Sequence, residues 1–143
     1  MRDGVDLPAA ADPRDRTGRP LRVLVAEDNA ANRCVLKALL QPFDIEVRLA
    51  DDGCEAVAAA NASAFDVLLM DANMPRMDGV EALRRIRREA GPCVAAPIYM
   101  LTADVFDDDV RRYIEAGADG VLGKPIEISQ VFDVLSAVAR KAA

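Results

Sequence analysis

The sequence predicts an α/β domain, a (βα)5 doubly wound sheet of five parallel strands with helices on both faces. Two observations predict it. Strand-like and helix-like stretches alternate five times along the 143 residues, the pattern of successive strand–helix units. The run Val67 to Met70 is short, wholly apolar and bounded by turn residues, which suits a strand buried on both faces of a parallel sheet. A chain of this length forms one domain around one sheet, with residues 1–20 as a flexible N-terminal arm or linker and 21–141 as the folded unit.

The elements follow in order. Met1 to Pro20 is rich in Pro, Gly, Ala, Asp and Arg, with Val5 and Leu7 as its only large apolar residues. Leu21 to Ala26 (LRVLVA) is the first strand and ends at Glu27 and Asp28. Asp28 or Asn29 can cap a helix running to about Gln41, with Val35, Leu36, Leu39 and Leu40 expected on its inner face and Pro42 after its end. Ile45, Val47 and Leu49 alternate with Glu46 and Arg48, as in a half-exposed edge strand. Asp52-Gly53 makes a turn into an Ala-rich helix, Glu55 to Asn61. The third strand delivers Asp71 into a polar, Pro-containing loop.

Gly79 to Glu89 (GVEALRRIRRE) is the third helix, apolar at Val80, Leu83 and Ile86, with its arginines on a solvated face. Pro97 opens a fourth strand, Ile98 to Leu101, closing at Thr102. Asp107 to Ala116 is a helix, and Gly117 supplies its left-handed C-terminal residue. Val121-Leu122 is a short fifth strand leading into Lys124-Pro125. Ile128 to Arg140 is the last helix, with Val131, Val134, Leu135 and Val138 at helical spacing.

Composition removes several function classes. At 52% hydrophobic and 29% charged, the chain folds rather than staying disordered. Its net charge of −6 and lack of a Lys/Arg block argue against a nucleic-acid face. No apolar stretch approaches the ~18 residues of a membrane span. The opening MRDGVDLPAAADP lacks the layout of a signal peptide, so a cytoplasmic location is expected. Cys34, Cys54 and Cys93 are widely spaced with no CxxC, and are expected as small buried residues in a reducing compartment. With no histidine in the sequence, His-based triads, His metal sites and a phosphohistidine on this chain are excluded.

Chemistry in an open α/β sheet gathers beyond the carboxyl ends of the strands. The polar residues that end the predicted strands are Glu27 and Asp28, then Asp71, Thr102 and Lys124. Each alone has an ordinary explanation as a cap, a turn former or a surface lysine; together they put three carboxylates, a hydroxyl and one cation at the same end of one sheet. Two like charges ~4 Å apart repel by about 4 kcal/mol at an effective dielectric of 20. A hard divalent ion relieves that repulsion, and Mg²⁺ suits one or two carboxylates plus water and a phosphoryl oxygen. Asp71 can then serve as an oxygen nucleophile towards phosphorus.

From about Leu21 to Arg140 the chain resembles a receiver domain of two-component response regulators. The matching pieces are VLVAEDN, VLLMDANMPRMDG, the LTA of Leu101 to Ala103 and GKPI at Gly123 to Ile126. The resemblance implies a strand order of 2-1-3-4-5 and Asp71 as phosphoacceptor. It implies Mg²⁺ served by Glu27, Asp28, the Asp71 carboxylate and the backbone carbonyl of Asn73. Thr102 would be the switch hydroxyl and Lys124 the phosphate-pairing lysine, with a cis bond before Pro125. The partner would be a histidine kinase or a histidine phosphotransfer protein or domain. EDNAANRCVL, with Asn29 and Asn32, is similar to receivers of hybrid sensor histidine kinases, so both a stand-alone receiver and a piece of a longer hybrid kinase are open. One departure stands out: receivers usually carry Tyr, Phe or His three residues before the lysine, where this chain has Val121.

Two rival readings are weaker. A phosphatase of the haloacid dehalogenase type wants a second Asp two residues after the nucleophile as general acid, and Asn73 stands there. A receiver-like interaction module that is never phosphorylated usually lacks the acidic pair, the Asp or the Lys, and all are present. The expected activity is therefore the chain's own aspartyl phosphorylation and dephosphorylation, not turnover of a separate substrate.

Overall fold

The computed structural model describes residues 20–43, 45–89, 91–103 and 106–141. The arm expected over 1–20 therefore lies, Pro20 apart, outside the described residues. Five strands, β1 (Arg22–Ala26), β2 (Glu46–Ala50), β3 (Val67–Asp71), β4 (Ile98–Thr102) and β5 (Gly120–Gly123), form one sheet in the order β2-β1-β3-β4-β5. All neighbouring pairs are parallel. The helices are α1 (Ala30–Leu40), α2 (Gly53–Ala62), α3 (Gly79–Arg88), α4 (Asp107–Ala116) and α5 (Ile128–Lys141), with a short 3-10 turn at Gln41–Phe43 after α1. The fold class and the strand order are those expected.

The order explains the patterning. Every residue of β3, in the middle of the sheet, is buried, whereas β2, at one edge, keeps Glu46 and Arg48 exposed. Alternate residues of the central strands enter two separate cores. Leu24, Leu68, Met70 and Met100 meet Ala56, Ala60, Leu83, Ile86 and Tyr113 of α2, α3 and α4. Val23, Val25, Leu69 and Leu101 meet Leu36, Leu40, Val131 and Leu135 of α1 and α5. Each large aliphatic side chain so buried contributes about 1.5–3 kcal/mol.

Helix starts are set by short side chains. Asn29, Asp52 and Asp78 accept from the amides of Asn32, Glu55 and Glu81 at 3.1, 2.8 and 2.9 Å, caps worth about 1 kcal/mol each. Of the two candidates for α1, Asn29 is the cap. α4 has no side-chain cap; Asp107, Asp108 and Asp109 in its first turn offset the exposed amides instead. It ends at Gly117, φ 117°, as its left-handed residue.

Three expectations need correcting. On α1 only Leu36 and Leu40 of the four apolar residues are buried; Val35 and Leu39 are 55% and 38% exposed, because α1 meets the sheet along one side of that stripe. Cys34 and Cys54 are exposed and only Cys93 is buried, so the cysteines are not uniformly core residues. The α3 arginines are not all solvated. Half-buried Arg87 donates to the carbonyls of Gly117 and Ala96 at 3.0 and 2.6 Å and pairs with Asp119 at 2.9 Å, tying α3 to the turn before β5.

Candidate functional site

The parallel register brings the strand ends level: Ala26 lies opposite Met70, Asp71 opposite Leu101 and Thr102 opposite Gly123. The residues that follow or close these strands therefore share one rim. Glu27, Asp71 and Thr102 are buried there, 0%, 2% and 1% exposed, while Asp28 faces solvent. β5 leads into Lys124, whose amide donates to the Thr102 carbonyl at 2.8 Å. The Lys124-Pro125 bond is cis.

Lys124 Nζ lies 3.1 Å from Asp71 Oδ2 and 3.1 Å from Glu27 Oε1. Asp71 Oδ1 accepts from the Asn73 amide at 3.1 Å. Glu27 accepts from the Asn29 amide at 3.1 Å and from Asn32 Nδ2 at 3.3 Å, so both of its oxygens are engaged. Carboxylate oxygens of Glu27, Asp28 and Asp71 come within 4.8 Å of one another. These hard oxygen donors, two buried and one open to solvent, fit an oxygen-loving divalent ion such as Mg²⁺. The loop after Asp71 is pressed close: a Cβ at Gly79 would sit 2.1 Å from the Asp71 carbonyl oxygen, so only glycine fits.

The charges divide unequally. Burial, the hydrogen bond with Glu27 and the negative charge of Glu27 push Asp71 up to about 6, against the opposing pull of the Asn73 amide and Lys124. Burial also raises Glu27, but hydrogen bonds from Asp71, the Asn29 amide and Lys124 outweigh it and bring its pKa below the ordinary value. For Lys124, burial is outweighed by the two carboxylates, and its pKa rises. Without metal, Glu27 thus ionises more readily than Asp71, Lys124 carries the positive charge, and Asp71 keeps its proton only below about pH 6. An added positive charge would further favour the ionised carboxylate, the form that can act as an oxygen nucleophile.

Glu27, Asp28, Asp71, Thr102 and Lys124 all come together as sequence reasoning placed them; Asn73 adjoins through its amide. Two participants were missed. Asn32 holds Glu27, and its signal was present: it stands in the first turn of α1, whose start follows directly on β1. Arg33 Nη1 donates to the Glu27 carbonyl at 2.6 Å, in the same turn.

The family model for the response regulator receiver domain matches residues 23–136. The autoinducer 2 sensor kinase/phosphatase LuxQ of Vibrio vulnificus is 37% identical over 128 residues, covering 90% of this chain and 15% of that protein. The sensor histidine kinase AruS of Pseudomonas aeruginosa is 39% identical over 131 residues, covering 91% of this chain and 13% of that protein. The chain thus spans only a small part of these relatives' length. Among solved structures, the receiver domain of a Pseudomonas aeruginosa sensor histidine kinase superposes with a TM-score of 0.76 at 32% identity, covering 84% of this chain and 98% of that one. It carries a magnesium ion coordinated in its active-site cleft. A Saccharomyces cerevisiae complex of the histidine phosphotransfer protein Ypd1 with the Ssk1 receiver domain gives 0.78 at 26% identity, covering 87% of this chain and 92% of that one.

Proposed function

Because this chain belongs to the response regulator receiver domain family of two-component systems, we propose that it accepts a phosphoryl group on Asp71 from a phosphohistidine carried by a histidine kinase or a histidine phosphotransfer partner. The observation that carries this reading is the ammonium of Lys124 within 3.1 Å of a buried Asp71 oxygen, with Glu27 and Asp28 alongside. An Asp71 oxygen attacks phosphorus in line, the P–N bond to imidazole breaks, and the imidazole nitrogen takes up a proton. Lys124 then pairs with a phosphoryl oxygen, and Thr102, at the adjoining strand end, supplies a hydroxyl. Glu27, Asp28, Asp71 and the Asn73 carbonyl would hold Mg²⁺, which when bound offsets the charge gathered between carboxylates and phosphoryl group.

The modified domain either alters its contacts or passes the group onward, as a phosphorelay requires; it turns over no separate substrate. The location is cytoplasmic, in keeping with three cysteines in no disulfide. Beside Lys124, a hollow of about 300 Å³ is lined by Val35, Leu36, Leu39, Pro125 and Ile126. Continuous with the acceptor site and mostly apolar, it offers a histidine-bearing partner its docking face.

The test is intact-mass spectrometry after incubation with a small phosphodonor and Mg²⁺. One phosphoryl group should appear on the parent and none on Asp71→Asn. Equal modification of both proteins would remove the site assignment. Asp28→Ala should bind Mg²⁺ about tenfold more weakly or worse.

A further inference from the structure

Arg76, in the loop between β3 and α3, has φ 65°, the left-handed region that residues with a Cβ enter at a cost. Something must hold it there. Its Nη2 pairs with Asp52 Oδ2, a carboxylate that is 2% exposed, while the arginine side chain is 70% exposed. The arginine therefore comes in to the carboxylate rather than the reverse. Asp52 is itself fixed, since its other oxygen caps α2 through the Glu55 amide at 2.8 Å. Next to it, a Cβ on Gly53 would lie 2.1 Å from the Met77 carbonyl oxygen, so the loop lies flush on the first turn of α2. Met74 is buried in the same loop.

Topology gives this pair its reach. β1 runs between β2 and β3, so Asp52, after β2, and Arg76, after β3, join the two loops flanking the strand that Glu27 and Asp28 follow. Between Asp71 and the anchored stretch from Met74 to Met77 stands Asn73, whose amide already binds Asp71. Nothing else in the first half of that loop is charged.

We infer that Arg76 is a positioning residue: through Asp52 it fixes the loop that carries the Asn73 carbonyl, and so sets Mg²⁺ affinity. This rests on the metal role proposed for that carbonyl. The bland alternative is that Arg76 only neutralises Asp52 and matters for stability alone.

Magnesium chloride titrations followed by calorimetry, beside metal-free melts, separate the two. Arg76→Gly removes the ion pair while glycine adopts φ 65° freely. Asp52→Asn keeps the α2 cap and removes the charge. Each should raise the Mg²⁺ dissociation constant about tenfold, the usual scale for losing a supporting partner of a metal ligand. The double variant should be no weaker than either single one. Arg76→Lys should stay within about threefold of the parent, because a single N–O contact needs only a cation. An unchanged dissociation constant in a folded Arg76→Gly or Asp52→Asn would overturn the inference, as would losses that simply add in the double variant. If Arg76→Gly fails to fold, Asp52→Asn decides. Failure of the parent itself to bind Mg²⁺ would be a different result, striking the proposed function.

Discussion

Lys124 Nζ stands 3.1 Å from Asp71 Oδ2 and equally 3.1 Å from Glu27 Oε1, one cation serving two buried carboxyls. Its removal has two separable consequences. Without metal, Glu27 loses its counter-charge, and above about pH 6 so does Asp71, at a cost of about 1–3 kcal/mol. With a phosphoryl analogue bound, the added charge would lack the ammonium that stands 3.1 Å from Asp71 Oδ2. Lys124→Ala should therefore melt somewhat lower, and its stabilisation by Mg²⁺ with beryllofluoride should be largely lost. Melts with and without beryllofluoride check this; equal stabilisation of parent and variant would reduce Lys124 to a surface lysine.

The Asp71 pKa predicts an unusual pH dependence. A carboxyl raised from 3.8 to about 6 on folding binds more protons in the native than in the unfolded state across that interval. Stability must then fall as pH rises through it, by at most about 3 kcal/mol. Glu27, with a lowered pKa, adds stability with rising pH, but that gain is complete by its ordinary value of 4.5. Between about pH 4.5 and 6 the Asp71 contribution stands alone. Denaturant titrations in a chelator should show the decline in the parent and a flatter profile in Asp71→Asn. Mg²⁺ affinity should fall about tenfold per pH unit below 6, where a proton competes for the same oxygen.

Val35 and Leu39 face solvent beside Lys124 rather than the core. Glu in place of either should leave stability within about 0.5 kcal/mol, as surface changes usually do. Modification by a small phosphodonor should be unaffected, whereas transfer from a phosphohistidine partner protein should slow about tenfold or more, as for an anchor residue truncated at an interface. Equal slowing with both donors would place the defect in the acceptor chemistry instead.

The sheet was readable because Val67 to Met70 is apolar at every position, while Val47 and Leu49 alternate with charges; strand burial writes itself into period and composition. The rim was readable for a related reason: in parallel strands the polar residue closing each apolar run must fall at the same end. What escaped depended on neighbours that periodicity does not name. Val35 and Leu39 belong to an apolar stripe wider than the contact with the sheet. Asp52 read as a turn former, and its partner Arg76 stands in another loop 24 positions on. Arg87 looked like one more solvated arginine, because its carbonyl partners at Ala96 and Gly117 carry no sequence signature.

Val121 stands on β5, three residues before Lys124. It lies opposite Met100 in the sheet and packs on the core beneath α2, α3 and α4. Branched at Cβ and short, it cannot sweep a large volume between rotamers. Neither tyrosine replaces the missing aromatic. Tyr99 packs on the opposite core, its ring so close over Gly120 that a Cβ there would meet it at 2.7 Å. Tyr113 shares Val121's core but is already fully inside, 2% exposed, with no outer position from which to swing. Phosphorylation should therefore change the face formed by α4, β5 and α5 only modestly. The response should concentrate in residues 104–109, of which Asp104 and Val105 lie outside the described residues, or leave as phosphoryl transfer to a histidine protein. Amide exchange with and without beryllofluoride tests this. Strong new protection across β5 and α5, with residues 104–109 silent, would show that Val121 does not block the relay.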